Sequence, residues 1–329
     1  MPNRTHFLLE ESILTELAKF DEATLEFLNA LKRSTRSIYT CGLEAFQKFY
    51  ASQGEIQDFL DRVDKDMQLS RLKKQRVARN TLKNFVVWMQ TETDFKPKTI
   101  RTYVTAVQSL GRYFDLAIST RYIELPSANP VSKKYPWTLE KVVKFVDLMA
   151  KPIYKSVAVS IFQSGLDVST LLSINYGDVK EEFEDGIVPL CFDLVRVKTD
   201  TPFMSFIGAW GVSVLKEYLG DRRLQPEDPL YPLSESAIEK YFARRAKKFI
   251  GPYKGHNPCR PHSLRAGFYT LGKDNKADPE YIEFWMGHEV PEQKKVYMSK
   301  GRDGWRKAYA EQAEPALTPL GYKSTHSFP

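Results

Sequence analysis

The sequence has few cysteines and lacks a long hydrophobic run. The first shortage argues against a disulfide-rich protein, and the second argues against a membrane-spanning one. The three cysteines, Cys41, Cys191 and Cys259, are scattered over 329 residues, so we predict no disulfide framework and expect a reducing compartment. No segment approaches the roughly 20 consecutive apolar residues that cross a bilayer. Acidic residues interrupt positions 1–20, which argues against a signal peptide there. We therefore expect a cytoplasmic protein without a membrane partner.

Charge is the first positive signal in the sequence. Lysine and arginine number 48 against 41 aspartate and glutamate, which gives a net charge of +7. This moderate excess fits a nucleic-acid partner. The apolar fraction of 42% is ordinary for a globular protein, and the length suits two domains with separate cores.

Hydrophobic periodicity predicts a helical N-terminal half. We expect helices over residues 22–31 and 58–66, a longer helix between them capped by Ser34 or Thr35, and another capped by Thr99. The aromatic residues of this half recur at helical spacing, so we interpret them as core. The predicted apolar face of the second helix comprises Ile38, Leu43, Phe46, Phe49 and Tyr50.

Residues 71–121 carry most of the basic excess. They contain eleven lysines and arginines but only three acidic residues. A solvated helix face is the plainer interpretation of such a charge run; the functional interpretation is a surface that neutralises phosphates and releases counterions. The DNA-binding candidates in this segment are Arg71, Lys73, Lys74, Arg76, Arg79, Lys83, Lys98 and Arg101.

A proline-rich stretch divides the chain. Small polar residues lie between Pro126 and Pro130, and no periodic pattern crosses them. We therefore predict an N-terminal helical DNA-binding domain over residues 1–130, in which residues 1–20 are a candidate arm or tail. A C-terminal domain is predicted over residues 131–329, with a tail from about residue 312.

The C-terminal half is predicted to be mainly α with one small antiparallel β-sheet. One of its helices is expected to begin at Asp167 and to stop near Gly177. Strands are predicted over residues 187–197 and 203–207, joined as a hairpin. Pro202 confines the second strand to a sheet edge or to a late start, because proline has no N–H for the ladder.

Several residues of this half occur in an order typical of one active site. Lys198 lies in the predicted hairpin, His262-x-x-Arg265 and Gly287-His288 follow, and Tyr297 comes nine residues after His288. This ordered set resembles the tyrosine recombinases, or phage-type integrases. Their catalytic domain carries a hairpin lysine, a His-x-x-Arg motif, a Gly-His motif and a tyrosine nucleophile. The resemblance covers roughly residues 20–310.

The resemblance implies a two-domain DNA clamp that cuts and rejoins DNA strands through a 3′-phosphotyrosine intermediate. Tyr297 would be the nucleophile, and Arg265 would bind the phosphate with its planar fork. Lys198 would protonate the leaving oxygen, while His262 and His288 would donate hydrogen bonds or relay protons. It also implies double-stranded DNA as partner, a homotetramer on DNA, a nucleoid-associated location, and neither a metal nor another cofactor.

One position departs from the family. Where the family has Gly-Leu-Arg, this chain reads Gly165-Leu166-Asp167, so a carboxylate replaces the first of two phosphate-binding arginines. Loss of a transition-state arginine removes on the order of 10³-fold or more in rate, which would weaken the enzyme unless another cation substitutes. The candidate substitutes are Arg196, Lys254 and Arg260.

Other interpretations of these residues remain open. His256, Cys259 and His262, with His288, have the spacing of metal ligands, although zinc motifs usually pair cysteines. Separately, Tyr297 could be an ordinary core tyrosine, and His288 could be a helix cap with a packing role alone. At the level of activity, the alternatives are a DNA-binding relative that has lost or reduced cleavage, acting as an architectural or regulatory factor, and a type IB topoisomerase.

The segment after Tyr297 has two interpretations. By resemblance, the C-terminal tail would pack on a neighbouring subunit, with Trp305, Tyr309 and Leu317 as its apolar anchors. A charged helix is predicted over Arg302–Glu311, and it would equally well close its own domain with the same side chains.

Overall fold

The structure is a computed structural model, and it describes residues 20–127, 135–196, 201–288 and 300–322. The chain divides into two compact units, Met1–Pro130 and Val131–Pro329, and each has its own hydrophobic core. In the described part, one two-stranded antiparallel sheet accompanies a helical majority. The predicted fold class, mainly α with a small antiparallel sheet in the C-terminal domain, is confirmed. Across the same residues, no helix has the length and apolar character needed to span a membrane.

The described residues of the N-terminal unit form five helices around an aromatic core. These are α1 (Glu22–Ala30), α2 (Arg33–Tyr50), α3 (Ile56–Gln68), α4 (Val77–Thr91) and α5 (Pro97–Tyr113). The buried ring of Phe46 meets Phe59 and Phe85 edge-on, with centroids 5.0 and 5.1 Å away. These aromatic side chains belong to the core, as predicted.

Capping interactions explain where two of these helices begin. In α3, the side chains of Glu55 and Asp58 each accept a hydrogen bond from the other's backbone N–H, which satisfies two N–H groups that the helix itself leaves unpaired. Helix α5 opens on Pro97, because proline at the first position lacks only an N–H that would be unpaired there anyway. The predicted cap at Thr99 is therefore wrong.

Helix α2 differs from the prediction in two places. Only two residues connect it to α1, so the cap position falls on Lys32, and neither Ser34 nor Thr35 caps the helix. Ile38 is 51% exposed and does not belong to the buried face. It lies five residues before Leu43 in sequence, which takes it out of the apolar stripe that faces the core.

The described residues of the C-terminal unit form ten helices and one hairpin. The helices are α6 (Leu139–Asp147), α7 (Pro152–Ser164), α8 (Val168–Leu172), α9 (Lys180–Glu184), α10 (Ala209–Leu219), α11 (Glu235–Ile250), α12 (Pro261–Asp274), α13 (Pro279–Trp285), α14 (Arg302–Gln312) and α15 (Glu314–Leu317). Helix α7 is buried nearly all round, and α10, α12 and the hairpin pack against it. Its central position explains why its buried polar side chains are hydrogen-bonded: the hydroxyls of Ser156 and Ser160 lie 2.8 and 2.9 Å from that of Tyr231.

The hairpin pairs β1 (Leu190–Arg196) with β2 (Thr201–Ile207), and Val195 lies opposite Pro202. Pro202 therefore falls inside β2, and the predicted late start of that strand is wrong. The edge alternative holds, since each strand of a two-stranded sheet has an unpaired side where a missing N–H costs nothing.

The helix that begins at Asp167 is shorter than predicted. It ends at Leu172, and the predicted stop at Gly177 lies within a separate 3-10 turn, Tyr176–Asp178. Helix α9 was not predicted from the sequence, since its residues carry no apolar period.

Helices α14 and α15 close the C-terminal unit. Trp305, Tyr309 and Leu317 are at most 2% exposed and belong to this unit's own core. The Gln163 side chain of α7 donates to the Leu317 carbonyl at 3.1 Å and accepts from the Gly208 N–H at 3.1 Å. Of the two interpretations of this segment, the structure has the one in which the segment closes its own domain.

Candidate active site

Arg265 is the buried centre of the candidate site. It lies in the second turn of α12 and is 4% exposed. Its guanidinium donates to the backbone carbonyls of Gly165 and Met286, the latter at 3.0 Å, and to Nε2 of His288 at 2.7 Å. A buried guanidinium is stable only when its N–H groups find acceptors. These contacts therefore fix both its position and its orientation.

Both ring nitrogens of His288 are engaged. Nδ1 donates to Oε2 of Glu283, and the backbone N–H of His288 donates to the Glu283 carbonyl at 2.9 Å. Nε2 accepts from Arg265, which has donors only. The arrangement fits a neutral imidazole with its proton on Nδ1. A chain of hydrogen bonds thus runs from a half-exposed carboxylate, through the imidazole, to the buried guanidinium.

The turn at Gly165 brings a backbone carbonyl to Arg265. Gly165 ends α7 with φ +65°, in the left-handed region. A Cβ at this position would lie 2.5 Å from the ring of Phe268, which follows Arg265 by one turn of α12. Glycine is required here both for the left-handed conformation and for the close approach of α12.

Asp167 has a local structural role at the predicted start of its helix. It is the N-cap of α8, where its Oδ1 accepts from the Thr170 N–H at 2.9 Å and from the Ser169 hydroxyl at 2.7 Å. Burial raises the pKa of Asp167, but these hydrogen bonds and the charge of Arg265 outweigh it, so the pKa lies below its ordinary value. The carboxylate is therefore ionised at neutral pH and attracts the positive charge of Arg265.

The other predicted residues of the site differ in their solvent exposure. His262 is on the first turn of α12, three residues before Arg265, and its side chain is exposed. Arg260 is the half-buried N-cap residue of the same helix, and Lys254 is exposed in the segment before it. Arg196 is the last residue of β1. The cation whose charge lowers the pKa of Asp167 is Arg265.

Lys198 and Tyr297 lie outside the described residues, but the elements next to them in sequence are tied together. Arg302, at the start of α14, binds Asp193 of β1 with Nη2 2.8 Å from Oδ2. Arg306, also in α14, is buried; it donates to the Pro189 carbonyl at 3.0 Å and forms an ion pair with Glu182. The strand that leads to Lys198 and the helix that follows Tyr297 are thereby joined.

The geometry does not support the metal-binding interpretation of His256, Cys259, His262 and His288. Burial raises the pKa of the Cys259 thiol to about 12, which disfavours the thiolate that zinc binds. Cys259 is fully buried, whereas His256 and His262 are exposed. Within the four described ranges, no three His, Cys, Asp or Glu side chains are grouped so as to hold a metal ion.

The eight DNA-binding candidates of the N-terminal unit lie on its surface, and only Lys74 and Arg79 among them are half-buried. The Arg79 guanidinium lies over the ring of Tyr122, and so does that of Arg121. Neither Tyr122 nor Arg121 was among the sequence-based candidates. The signal that was available is a tyrosine next to an arginine just beyond the last predicted helix of this half.

Glu283 is another residue that the sequence did not indicate. It occurs in α13, five residues before His288, and the turn that ends this helix brings its carboxylate to the imidazole. An acidic residue in the last helical turn before a Gly-His motif is the signal that would have found it.

No family model matches the sequence, and no curated protein matches it significantly. Solved structures match at low identity. XerH site-specific recombinase, bound to palindromic difH substrate in a post-cleavage complex, aligns with a TM-score of 0.55 and 18% identity, over 84% of this chain and 79% of that chain.

Two integrases match in the same way. A lambda integrase dimer bound to a COC′ core site aligns with a TM-score of 0.53 and 15% identity, over 83% of this chain and 91% of that one. The Tn1549 transposon integrase in complex with transposon right end DNA aligns with a TM-score of 0.50 and 14% identity, over 82% and 98%. At these identities the comparison shows a shared fold: this chain has the fold of site-specific recombinases and integrases.

Proposed function

We propose that this chain is a site-specific DNA recombinase that cleaves and rejoins DNA strands through a covalent 3′-phosphotyrosine intermediate. The observation that carries the proposal is the meeting of three segments at Arg265: helix α12, the Gly165 turn and the Gly287-His288 turn. A buried arginine that is oriented by backbone carbonyls and coupled to a histidine suits a phosphate-binding centre. The shared fold with site-specific recombinases supports the same assignment.

In the proposed reaction, the Tyr297 phenol passes its proton to the His262 imidazole, and the resulting phenolate oxygen attacks the phosphorus of one phosphodiester. The Oη–P bond forms as the P–O5′ bond breaks, and Lys198 transfers a proton to the departing 5′ oxygen. Arg265 offsets the negative charge on the non-bridging oxygens in the transition state. His262 donates a hydrogen bond to the same oxygens, and His288 orients the Arg265 guanidinium through Nε2. Rejoining reverses these steps, so the reaction conserves the bond energy and consumes neither a metal nor a nucleotide.

Double-stranded DNA is the proposed partner. The surface basic residues of segment 71–101 support this, because lysine and arginine contacts to phosphates supply affinity and position the protein on a duplex. Residues 1–130 would bind DNA and residues 131–329 would carry the catalytic groups. Strand exchange between two duplexes requires four cleavage events, which a homotetramer on nucleoid DNA would provide.

A second candidate function is DNA binding with weakened or absent cleavage, and Asp167 favours it. Its ionised carboxylate acts on the arginine that would bind the phosphate. Two unit charges about 5 Å apart interact by roughly 3 kcal/mol at an effective dielectric constant of about 20. A phosphate at Arg265 would meet a repulsion of that order from Asp167.

An adduct assay separates these candidates. Wild-type protein, Tyr297→Phe and Asp167→Arg are each incubated with a pool of nicked duplexes of randomised sequence, which trap a covalent intermediate. An active recombinase forms an adduct that Tyr297→Phe abolishes. A weakened relative forms none until Asp167→Arg restores an arginine. Relaxation of supercoiled plasmids irrespective of their sequence would instead identify a type IB topoisomerase, and adducts from none of these proteins would reject cleavage.

A further inference from the structure

The N-terminal unit presents an exposed tyrosine that holds two arginines. Tyr122 is 72% exposed, and the guanidinium carbons of Arg79 and Arg121 each lie 5.1 Å from its ring centroid. We name these three residues the Tyr122 cluster. Arg79 belongs to α4, whereas Arg121 and Tyr122 belong to the turn after α5, so the cluster joins two segments that are distant in sequence.

The backbone around the cluster adopts conformations that large side chains rarely adopt. Tyr122 has φ +72°, and Arg76, one helical turn before Arg79, has φ +57°. The turn at Arg76 is held by the buried carboxylate of Asp66, which accepts from the N–H groups of Gln75 and Val77. Because the Tyr122 ring is mostly exposed, its burial contributes little stability to offset the backbone strain. Strain of this kind is typical of ligand-binding sites.

Two like charges converge on the ring of Tyr122. Each guanidinium is attracted by the face of the aromatic ring, but the two guanidinium groups repel each other. Between the described residues, no ion pair joins Arg79 or Arg121 to a carboxylate. An anion bound at the cluster would relieve the repulsion and use both planar forks.

We propose that the Tyr122 cluster binds a phosphate group in the sugar–phosphate backbone of double-stranded DNA. The proposal rests on the proposed DNA-binding function and adds a specific site to it, with Arg121 and Tyr122 as new ligands. Arginine forks match the geometry of phosphate oxygens, and the tyrosine hydroxyl is a further donor. A backbone contact of this kind positions the protein without reading base sequence.

The salt dependence of DNA binding tests the site. Fluorescence anisotropy measures binding of the full chain to a labelled duplex of about 30 base pairs, between roughly 50 and 200 mM salt. The double variant Arg79→Ala/Arg121→Ala should lower the slope of log K against log[salt] by about 1, since the loss of one phosphate contact removes about 0.9. Affinity should fall by the same factor on duplexes of unrelated sequence.

Three further variants isolate the cluster from general charge. Lys48→Ala/Lys65→Ala removes the same charge from exposed positions of α2 and α3. It should leave the slope within about 0.5 of wild type, which is about half of the change expected for one phosphate contact. Tyr122→Ala keeps both arginines but releases them, and should weaken binding severalfold. Tyr122→Phe keeps the ring and should retain most of the slope.

The outcomes distinguish failure of the Tyr122 site from failure of DNA binding as a whole. A slope for the double arginine variant equal to that of the lysine control would overturn the site and leave DNA binding intact, as expected if the cluster docks an acidic protein surface instead. Unchanged binding by Tyr122→Ala would also overturn it, because the arginines would then act independently. If wild type shows no salt-dependent DNA binding, the proposed function fails together with the site.

Discussion

Nη2 of Arg265 lies 2.7 Å from Nε2 of His288. This hydrogen bond joins two motifs that are 23 residues apart in sequence, and Glu283 extends it on the far side of the imidazole. Because the guanidinium only donates, His288 must offer a lone pair, so each residue determines how the other is oriented. Arg265, His288 and Glu283 therefore form one unit, and a substitution in any of them should disturb the others.

Arg265→Ala should destabilise the C-terminal unit as well as remove activity. The change leaves the Gly165 and Met286 carbonyls without their donor, and each unsatisfied buried group costs about 1–3 kcal/mol. We expect the free energy of unfolding, measured by urea denaturation, to fall by about 3 kcal/mol. Arg265→Lys should lose less stability but form no adduct, because an ammonium cannot replace the fork. A stable alanine variant with a normal adduct yield would contradict this account of Arg265.

Glu283→Ala should change the protonation pattern of His288. Without the carboxylate, only the hydrogen bond from Arg265 favours the proton on Nδ1, so nitrogen-15 NMR of the imidazole should show a larger share of the other tautomer than in wild type. Adduct formation should slow about tenfold, which corresponds to about 1.4 kcal/mol and is of the size of one lost hydrogen bond to a charged group.

Glu283→Gln retains an acceptor oxygen and should fall between wild type and Glu283→Ala. Glu239→Ala, at an exposed position of α11, is the matched control and should resemble wild type. If His288 keeps a single tautomer in Glu283→Ala, the carboxylate does not orient the imidazole, whatever happens to activity.

Asp167→Ala should reveal a pH-dependent helix cap. Loss of an N-cap costs about 1 kcal/mol, and the folded pKa of Asp167 lies below its ordinary value. A depressed pKa stabilises the fold above the unfolded pKa of about 4, and this stability is lost as pH falls through the folded pKa. The difference in unfolding free energy between wild type and Asp167→Ala should therefore be full at pH 7 and should shrink below about pH 4. Asp167→Asn, which still caps the helix, should retain most of the stability, and a difference that grows on acidification would refute the account.

Gly165→Ala should disrupt the site through the backbone. The left-handed conformation of Gly165 and the contact of its Cβ position with Phe268 both resist a methyl group. We expect a loss of at least about 1–3 kcal/mol in unfolding free energy, together with a lower adduct yield because the carbonyl bound by Arg265 would shift. Gly186→Ala is the control, because Gly186 also has positive φ, but no atom of the described residues beyond its chain neighbours lies within 4 Å of the added Cβ.

The fold class followed from the sequence because its signals are local. Apolar periodicity marked the helices, and alternation with a proline marked the hairpin at β1 and β2. The errors lie where one local signal competes with another. Thr99 is a good capping residue, but the helix starts at Pro97, so the cap position is Lys96, three residues earlier. Ile38 is apolar, yet its spacing from Leu43 turns it to the surface.

The candidate site was predictable only in part. The order and spacing of motifs pointed to Arg265 and His288, and the structure brings these two together. Glu283 was not predictable, because its contact with His288 depends on how a turn folds back rather than on a motif. The same holds for Tyr122, whose arginine partners come from two segments that meet only in the folded unit. Asp167 caps the helix that was predicted to begin there. The roles assigned to Lys198, Tyr297 and His262 stay predictions.

The identity of the residue that becomes linked to DNA tests the central claim most directly. Adducts formed on nicked duplexes are digested with nuclease and trypsin, and mass spectrometry locates the nucleotide-modified residue. The account predicts a single modified peptide that carries the nucleotide on Tyr297, and its absence from Tyr297→Phe. Modification of any other residue, or an undiminished adduct in Tyr297→Phe, would contradict it.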